Sequence, residues 1–231
     1  RVFEAGGADG RPKLIATHDT PTPALRLAPG DYYINVAFGK ANMTRKIHVT
    51  VGAAQTEQFA LNVGLLKISA LSGSNTPLAA GAVFIEVFAD ERDRFGEPRR
   101  IISGAKPGVL IRLNSGLYHI VSRYGDANAT VQSDFTVEPG KLTEATVIHH
   151  AASVSFKLVS QPGGDATPQT QWTIVDREGD IVKKSTGALP SHTLAPGTYT
   201  VTARTQGQVF RRQFTVRSGD IAQVEVVMQE R

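Results

Sequence analysis

The chain of 231 residues contains no cysteine. Disulfides, thiolate nucleophiles, zinc–thiolate sites and iron–sulfur clusters are therefore excluded. The compartment stays open, because a cysteine-free chain tolerates oxidising and reducing surroundings alike. Long apolar runs are also missing. The longest, such as Ala82–Ile85, are strand-sized, far below the roughly 18 residues that span a bilayer. No signal-peptide pattern stands at the start, and Arg1 is not an initiator residue, so the chain reads as a piece of something longer. Helical periodicity is absent. So are the Gly-x-Ser-x-Gly elbow, the Walker loop, the dinucleotide fingerprint and His-Glu-x-x-His. No catalytic residue, cofactor or metal is expected, and the chain is read as a non-enzyme. Charge of one sign never gathers either. The net charge of +4 is spread over separate pairs such as Arg45-Lys46, Arg99-Arg100, Lys183-Lys184 and Arg211-Arg212. A nucleic-acid partner calls for a basic stripe or helix, so a solvated basic surface and no nucleic acid are expected.

What the chain has is repetition. The stretch LAPGDYYINV from Leu27 returns as LNSGLYHIVS from Leu113 and as LAPGTYTVTA from Leu194. The shared residues are Leu27, Gly30 and Tyr32, then Leu113, Gly116 and Tyr118, then Leu194, Gly197 and Tyr199. After each tyrosine the pattern alternates with period two, which marks a half-buried strand. Pro29-Gly30 and Pro196-Gly197 form the preceding turns, proline fixing φ and glycine accepting positive φ.

A second phrase follows each first: KIHVTVGAAQTEQFAL from Lys46, DFTVEPGKLTEATVI from Asp134 and QFTVRSGDIAQVEVV from Gln213. Gly52, Gly140 and Gly219 hold the same place, so each phrase reads as strand, glycine turn, strand, a hairpin. Upstream, SVSFKLVS, TQWTIVD, IVKKST and SHTL of the third copy parallel LLKISAL, VFIEVFA, RRIIS and VLIRL of the second. The first copy begins only at VFEA, the equivalent of a second strand, and lacks its first. The expected domains are 1–62, 63–150 and 151–231, with net charges of +2, 0 and +2. Each complete unit has about seven short strands, so the expected fold is all-β: tandem antiparallel Greek-key β-sandwiches. Units this small bury only about 60% of their unfolded surface and are individually marginal. Linkers are nearly absent at Asn62-Val63 and His150-Ala151, where strand runs into strand, so a semi-rigid rod stiffened at its joints is expected.

The tyrosine phrase resembles the corner of fibronectin type III and other immunoglobulin-like domains, in which the hydroxyl bonds back to the backbone across the turn. LAPGTYTVTA with QFTVRSGDIAQVEVV is equally similar to the carboxypeptidase-regulatory-like and Cna-B-like repeats of bacterial surface proteins. The resemblance covers nearly the whole chain and implies an immunoglobulin-like or prealbumin-like sandwich in a bacterial, extracytoplasmic setting, periplasm or cell surface. It speaks for fold and little for function. The second copy departs from it at Asn114-Ser115, where a looser turn is expected. Some Cna-B-like domains carry a lysine–asparagine crosslink between first and last strands. Lys67 and Lys157 lie on first strands, but the last strands offer Glu144 and Glu225 and no asparagine. The crosslink is not expected, and the lysines are read as solvated.

Six histidines are scattered: His18, His48, His119, His149, His150 and His192. The pair His149-His150 points to opposite faces of a strand and does not chelate one ion easily, so it is read as part of a joint. DERDRFGE, Asp90 to Glu97, is acid-rich, but Arg92 and Arg94 would repel calcium and the EF-hand order is absent. It is read as a charged hairpin tip and contact site. Trp172, the single tryptophan, is read as a core residue. Three functional readings are weighed. The first is a non-catalytic tandem module of an envelope or secreted protein. It would act as a spacer or protein-interaction surface for other proteins or envelope components, with strand addition at exposed edges. The alternative is a carbohydrate-binding accessory module using Trp172. The third, a catalytic fragment, lacks the cluster of acids and histidines it needs.

Overall fold

A computed structural model of the chain describes residues 1–6, 10–92 and 95–228. Among these residues there is no helix, and eighteen strands alternate with short turns. The first range holds β1 (Val2–Glu4), β2 (Lys13–Ala16), β3 (Gly30–Phe38) and β4 (Ala41–Val49). The second holds β5 (Val63–Ser72), β6 (Val83–Arg92), β7 (Pro98–Ala105), β8 (Leu110–Asn114), β9 (Gly116–Tyr124), β10 (Ala129–Val137) and β11 (Leu142–His149). The third holds β12 (Ala152–Val159), β13 (Gln171–Val175), β14 (Ile181–Thr186), β15 (Ser191–Leu194), β16 (Gly197–Thr205), β17 (Gln208–Val216) and β18 (Ile221–Val227). No hydrogen-bonded sheet mixes strands of different ranges. By compactness the chain forms two units, and the middle range contributes to both. One unit is 1–67 with 110–117 and 136–143; the other is 68–109 with 118–135 and 144–231.

The third range shows the plan most fully. Its sheets are β15-β12-β18 and β14-β13-β16-β17. Alternation along β12 sends Ala152, Val154, Phe156 and Leu158 inward to meet Trp172, Ile174, Leu194, Tyr199 and Val201, all buried. Phe156 lies 5.8 Å from Trp172 and 5.4 Å from Phe214, ring centre to ring centre. Fully burying one such side chain is worth roughly 1.5–3 kcal/mol. The fold is an all-β, immunoglobulin-like sandwich. Its division into a three- and a four-stranded sheet differs from that of an immunoglobulin constant domain, in which the first two strands share a sheet.

Two sequence expectations are corrected. The glycine turns of the second phrase do not close hairpins: β17 and β18 belong to different sheets, as do β10 and β11. The turn at Gly219 crosses between sheets, and the hairpin proper is β16–β17, closed at Thr205↔Gln208. The sandwich is also not purely antiparallel, because β18 pairs in parallel with β12 from Ser153↔Ile221 to Val159↔Val227. Period-two alternation records which face a residue occupies and is blind to the direction of its neighbour.

In the first range β1 pairs with β2 and β3, as β13 does with β14 and β16. Residues 50–62 form no strand, although a strand was expected after Gly52. The counterpart β18 is paired with β12, whereas among the described residues no strand pairs with 50–62. The expected strand-to-strand joint at Asn62-Val63 is for the same reason a joint between an irregular segment and β5.

Candidate functional site

The hydroxyl of Tyr32 donates to the Ala28 carbonyl at 2.8 Å, and that of Tyr199 donates to the Ala195 carbonyl at 2.8 Å. Tyr118 is 5% exposed, against 3% for Tyr32 and 4% for Tyr199. Gly30 and Gly116 share φ values of 154° and 153°. Leu113 and Leu194 are fully buried, while Leu27 is half-buried.

Beyond each of the first two tyrosines the chain repeats a tail that the sequence reading passed over: FGKAN at 38–42 and YGDAN at 124–128. Both tails dock on the strand that precedes the next tyrosine. In the first case the Lys40 N–H donates to the Arg112 carbonyl at 3.0 Å and the Asn42 N–H to Asn114 Oδ1 at 3.0 Å. Asn114 Nδ2 donates to the Leu61 carbonyl at 2.9 Å, and the Arg112 guanidinium lies 4.8 Å over the Phe38 ring. In the second case the Thr193 N–H donates to Asp126 Oδ1 at 3.1 Å and the Ala195 N–H to Asn128 Oδ1 at 3.0 Å. Asn128 Nδ2 in turn donates to the Tyr199 hydroxyl at 3.0 Å. Counted back from the tyrosines, Arg112 and Thr193 are equivalent, and so are Asn114 and Ala195. The asparagine has changed sides of the joint, from Asn114 on the strand to Asn128 in the tail, while the strand positions engaged are the same.

Glycine is required at both contacts. Gly39 (φ 68°) and Gly125 (φ 71°) occupy the left-handed region. A Cβ on Gly39 would lie 2.8 Å from Arg112 Cβ, and one on Gly125 would strike Thr193.

The second joint carries a polar relay. Asp126 Oδ2 accepts from His192 Nδ1 at 2.7 Å and from Lys183 Nζ at 3.1 Å, and His192 Nε2 lies 2.8 Å from the Ser185 hydroxyl. Burial pushes the Asp126 carboxyl up, but the bonds from His192, the Thr193 N–H and Lys183 outweigh it and hold the pKa below the usual range. The distances match those of a serine–histidine–aspartate relay. The surroundings do not. Ser185 stands opposite Trp172 on β13, so the two share a face, and that face is the buried one. A hollow of about 480 Å³ lies on the other face, where Thr173, Lys184 and Thr202 point to solvent. Ser185 and Trp172 border that hollow as well, but the Ser185 hydroxyl is held at His192, 2.8 Å away.

At His149-His150 the two rings part as expected. His149 is 1% exposed, with Nε2 2.8 Å from the Ser122 hydroxyl, and His150 is exposed with Nδ1 3.3 Å from the Ser218 hydroxyl. Burial holds the His149 pKa below its ordinary value, opposed in part by the Ala129 backbone. His119 bridges Asp134 at 2.6 Å and Asp90 at 3.2 Å, and these bonds raise its pKa despite some burial. His48 pairs with Asp31 at 2.7 Å, and His18 is exposed. Among the described residues no three His, Asp or Glu side chains are arranged to hold a metal ion.

In the DERDRFGE tip, Asp93 and Arg94 lie outside the described residues. Arg92 donates to the Gly96 carbonyl at 2.6 Å, and Phe95 is 74% exposed. Trp172 is 1% exposed and donates Nε1–H to the Gly187 carbonyl at 2.8 Å. A buried indole offers no platform to a sugar ring. Lys157 is not solvated: it is half-buried and pairs with Glu225, its register partner on β18, at 3.6 Å. Glu86, 5% exposed, meets Arg123 at 2.6 Å and Arg100 at 3.0 Å across β9 and β7. Nothing in the sequence pattern announced that trio.

The third range matches a known family. Residues 153–228 fit the model of the Rhizobiales growth-associated tandem repeat domain, a span that coincides with β12–β18. No curated protein matches the chain. Among solved structures, the chain is similar to a streptococcal ancillary pilin, at 13% identity over 89% of this chain and 77% of that one, with a TM-score of 0.35. It is similar to a double mutant of the shaft pilin SpaA from Lactobacillus rhamnosus GG, at 10% identity over 73% and 98%, TM-score 0.35. It is also similar to the Bacillus anthracis TIE protein, at 15% identity over 86% of this chain, TM-score 0.30, and spans 41% of that protein's length.

Proposed function

We propose that the chain is a non-catalytic tandem module of a bacterial envelope or secreted protein, divided at 1–62, 63–150 and 151–231. It acts as a spacer and protein-interaction surface. The observation that carries this reading is the recurrence of one dock, glycine turn onto edge strand, at Gly39/Arg112 and Gly125/Thr193. A connection that only tethered two domains would need no such recurrence. A spacer needs it, because a fixed joint transmits position. The inward-facing Ser185 and the absence of the sequence signatures of catalysis support the non-enzymatic part. The extracytoplasmic part rests on the resemblance to bacterial surface repeats.

Two measurements test the proposal. Spin labels placed on Thr130 and Thr200, both outside the core, should give a narrow distance distribution that Gly125→Val broadens. An equally broad distribution in the unmodified chain removes the spacer role. Fractionation of the source cells should place the native protein outside the cytoplasm. A cytoplasmic protein overturns the localisation.

A further inference from the structure

We infer that the outer face of the β14-β13-β16-β17 sheet carries a binding site for an acidic polysaccharide, with a uronate carboxylate seated beside Arg204 and Lys184. The inference goes beyond the proposed function and does not depend on it. These four strands contain five cations, Lys183, Lys184, Arg204, Arg211 and Arg212, and no aspartate or glutamate. Lys183 is paired with Asp126, and Arg212 donates to the Glu225 carbonyl. Lys184, Arg204 and Arg211 are exposed, and among the described residues none of them meets a carboxylate.

The second range shows how the same face is neutralised from within. Its sheet β7-β6-β9-β10 has the same strand order. Arg123 and Arg204 are equivalent, each five residues after its tyrosine, Tyr118 or Tyr199. Glu86 and Thr173 are equivalent too, standing opposite Val121 and Thr202. Glu86 takes Arg123 at 2.6 Å and Arg100 of β7 at 3.0 Å, and Arg123 lies 5.7 Å over the Phe84 ring. In the third range the arginine remains, and Lys184, opposite Thr173 on β14, supplies the cation on the other side. The carboxylate has given way to Thr173 and the Phe84 ring to Gln171. A hollow of about 480 Å³ lies there, bordered by both cations. In the first range the pairing is again internal, Lys46 meeting Asp31 at 2.8 Å. The third range thus keeps the receiving cations and lacks the internal anion, and a guanidinium fork matches a carboxylate from outside.

The lining decides the class of ligand. Around the cations stand Gln171, Thr173, Thr186 and Thr202, and Trp172, which also borders the hollow, is 1% exposed. The core of a protein interface is built on aromatic or aliphatic anchors, and this hollow offers no exposed apolar side chain to receive them. Its hydroxyls and amide suit a ligand that is itself rich in hydroxyls. The hold comes from charge and hydrogen bonds, with no stacking on the buried indole. The row Lys184, Thr173, Thr202, Arg211 crosses all four strands. Arg211 stands three strand spacings, roughly 14 Å, from Lys184, so a polymer with a carboxylate on each sugar ring reaches both. The acids of the β13–β14 turn, Asp176, Glu178 and Asp180, lie beyond Val175, at the opposite end of β13 from Gln171 and Arg204.

The test titrates the whole chain with hexagalacturonate at physiological salt, read by calorimetry and by amide NMR shifts. Saturable binding is expected, with the shifts centred on Thr173, Thr202 and Arg204. Methyl-esterified hexagalacturonate keeps the hydroxyls and loses the charges. Hexaglutamate keeps the charges and loses the hydroxyls. Each should bind at least about tenfold more weakly. Arg204→Gln and Lys184→Gln, both at exposed positions, should each weaken binding by about tenfold. Arg177→Gln, in the exposed turn outside the hollow, should leave it unchanged. Thr173→Glu puts back the carboxylate that Glu86 supplies in the second range and should abolish binding. The shifts of the unmodified chain keep the test independent of how any variant folds. No saturable binding, equal binding of the ester, or shifts centred elsewhere overturns the inference. Hexaglutamate binding as tightly as hexagalacturonate overturns the polysaccharide class and makes the face a site for acidic peptides.

Discussion

Tyr199 shows how one residue serves two purposes. Its hydroxyl donates to Ala195 within its own repeat and accepts from Asn128 of the preceding one. A hydrogen bond of this kind contributes about 1 kcal/mol net, and a partner left buried and unpaired costs about 1–3 kcal/mol. Tyr199→Phe should therefore lower the stability reported by Trp172 fluorescence in urea by about 1–2 kcal/mol. A double-mutant cycle with Asn128→Ala should return a coupling of about 0.5–1 kcal/mol. A coupling of zero would mean the joint bond is not made in solution. His149 predicts a pH dependence. Its folded pKa lies below 6.5 because the ring is buried, so the unfolded chain binds more protons between the two values. Stability is then intact above about pH 6.5 and falls as the pH drops through that window. His119 has the opposite sign: its raised pKa adds stability at low pH that is lost as the pH rises. Its aspartate partners are largely exposed, so solvent screens that gain. Melting between about pH 7.5 and pH 5.5 should show a net loss that His149→Leu flattens. Leucine is a fitting replacement, because Leu61 holds the matching place after Gly52.

At the scale of elements, the turn between β9 and β10 separates two costs that glycine hides. Gly125 and Gly140 have nearly the same φ, 71° and 70°, but a Cβ at Gly140 meets nothing within 4 Å and one at Gly125 meets Thr193. Both Gly→Ala changes should cost about 1–2 kcal/mol for the left-handed backbone. Gly125→Ala should cost more than Gly140→Ala in Trp172-monitored unfolding, and the excess measures the dock. Equal costs would show that the turn yields without loss. The strands themselves were legible in advance: SHTL, TQWTIVD and IVKKST lie within one residue of β15, β13 and β14. The tails FGKAN and YGDAN were equally visible as text. Their role was not, because a dock depends on what a turn touches and a turn's own residues specify only its bend.

For the whole molecule, the first range differs from the third in one respect that stability should report. Local opening is easiest where few apolar contacts and few ladder bonds hold a segment. Amides of 24–27 and 53–61 should exchange fast, and those of β12, whose inward side chains are buried, should exchange slowly. Slow exchange throughout 53–61 would overturn this expectation.

From the sequence alone came the all-strand class, the threefold repetition and the burial of Trp172. These are local or periodic properties: alternation tells which face a residue takes, and glycine or proline tells where the chain turns. Tertiary structure alone decided that β18 runs parallel to β12, that the Gly219 turn crosses between sheets, and that Asp126, His192 and Ser185 meet at a joint. Those outcomes bring together residues up to 68 positions apart. Which distant strand satisfies a backbone edge is settled by packing across the whole sandwich, and no local pattern records it.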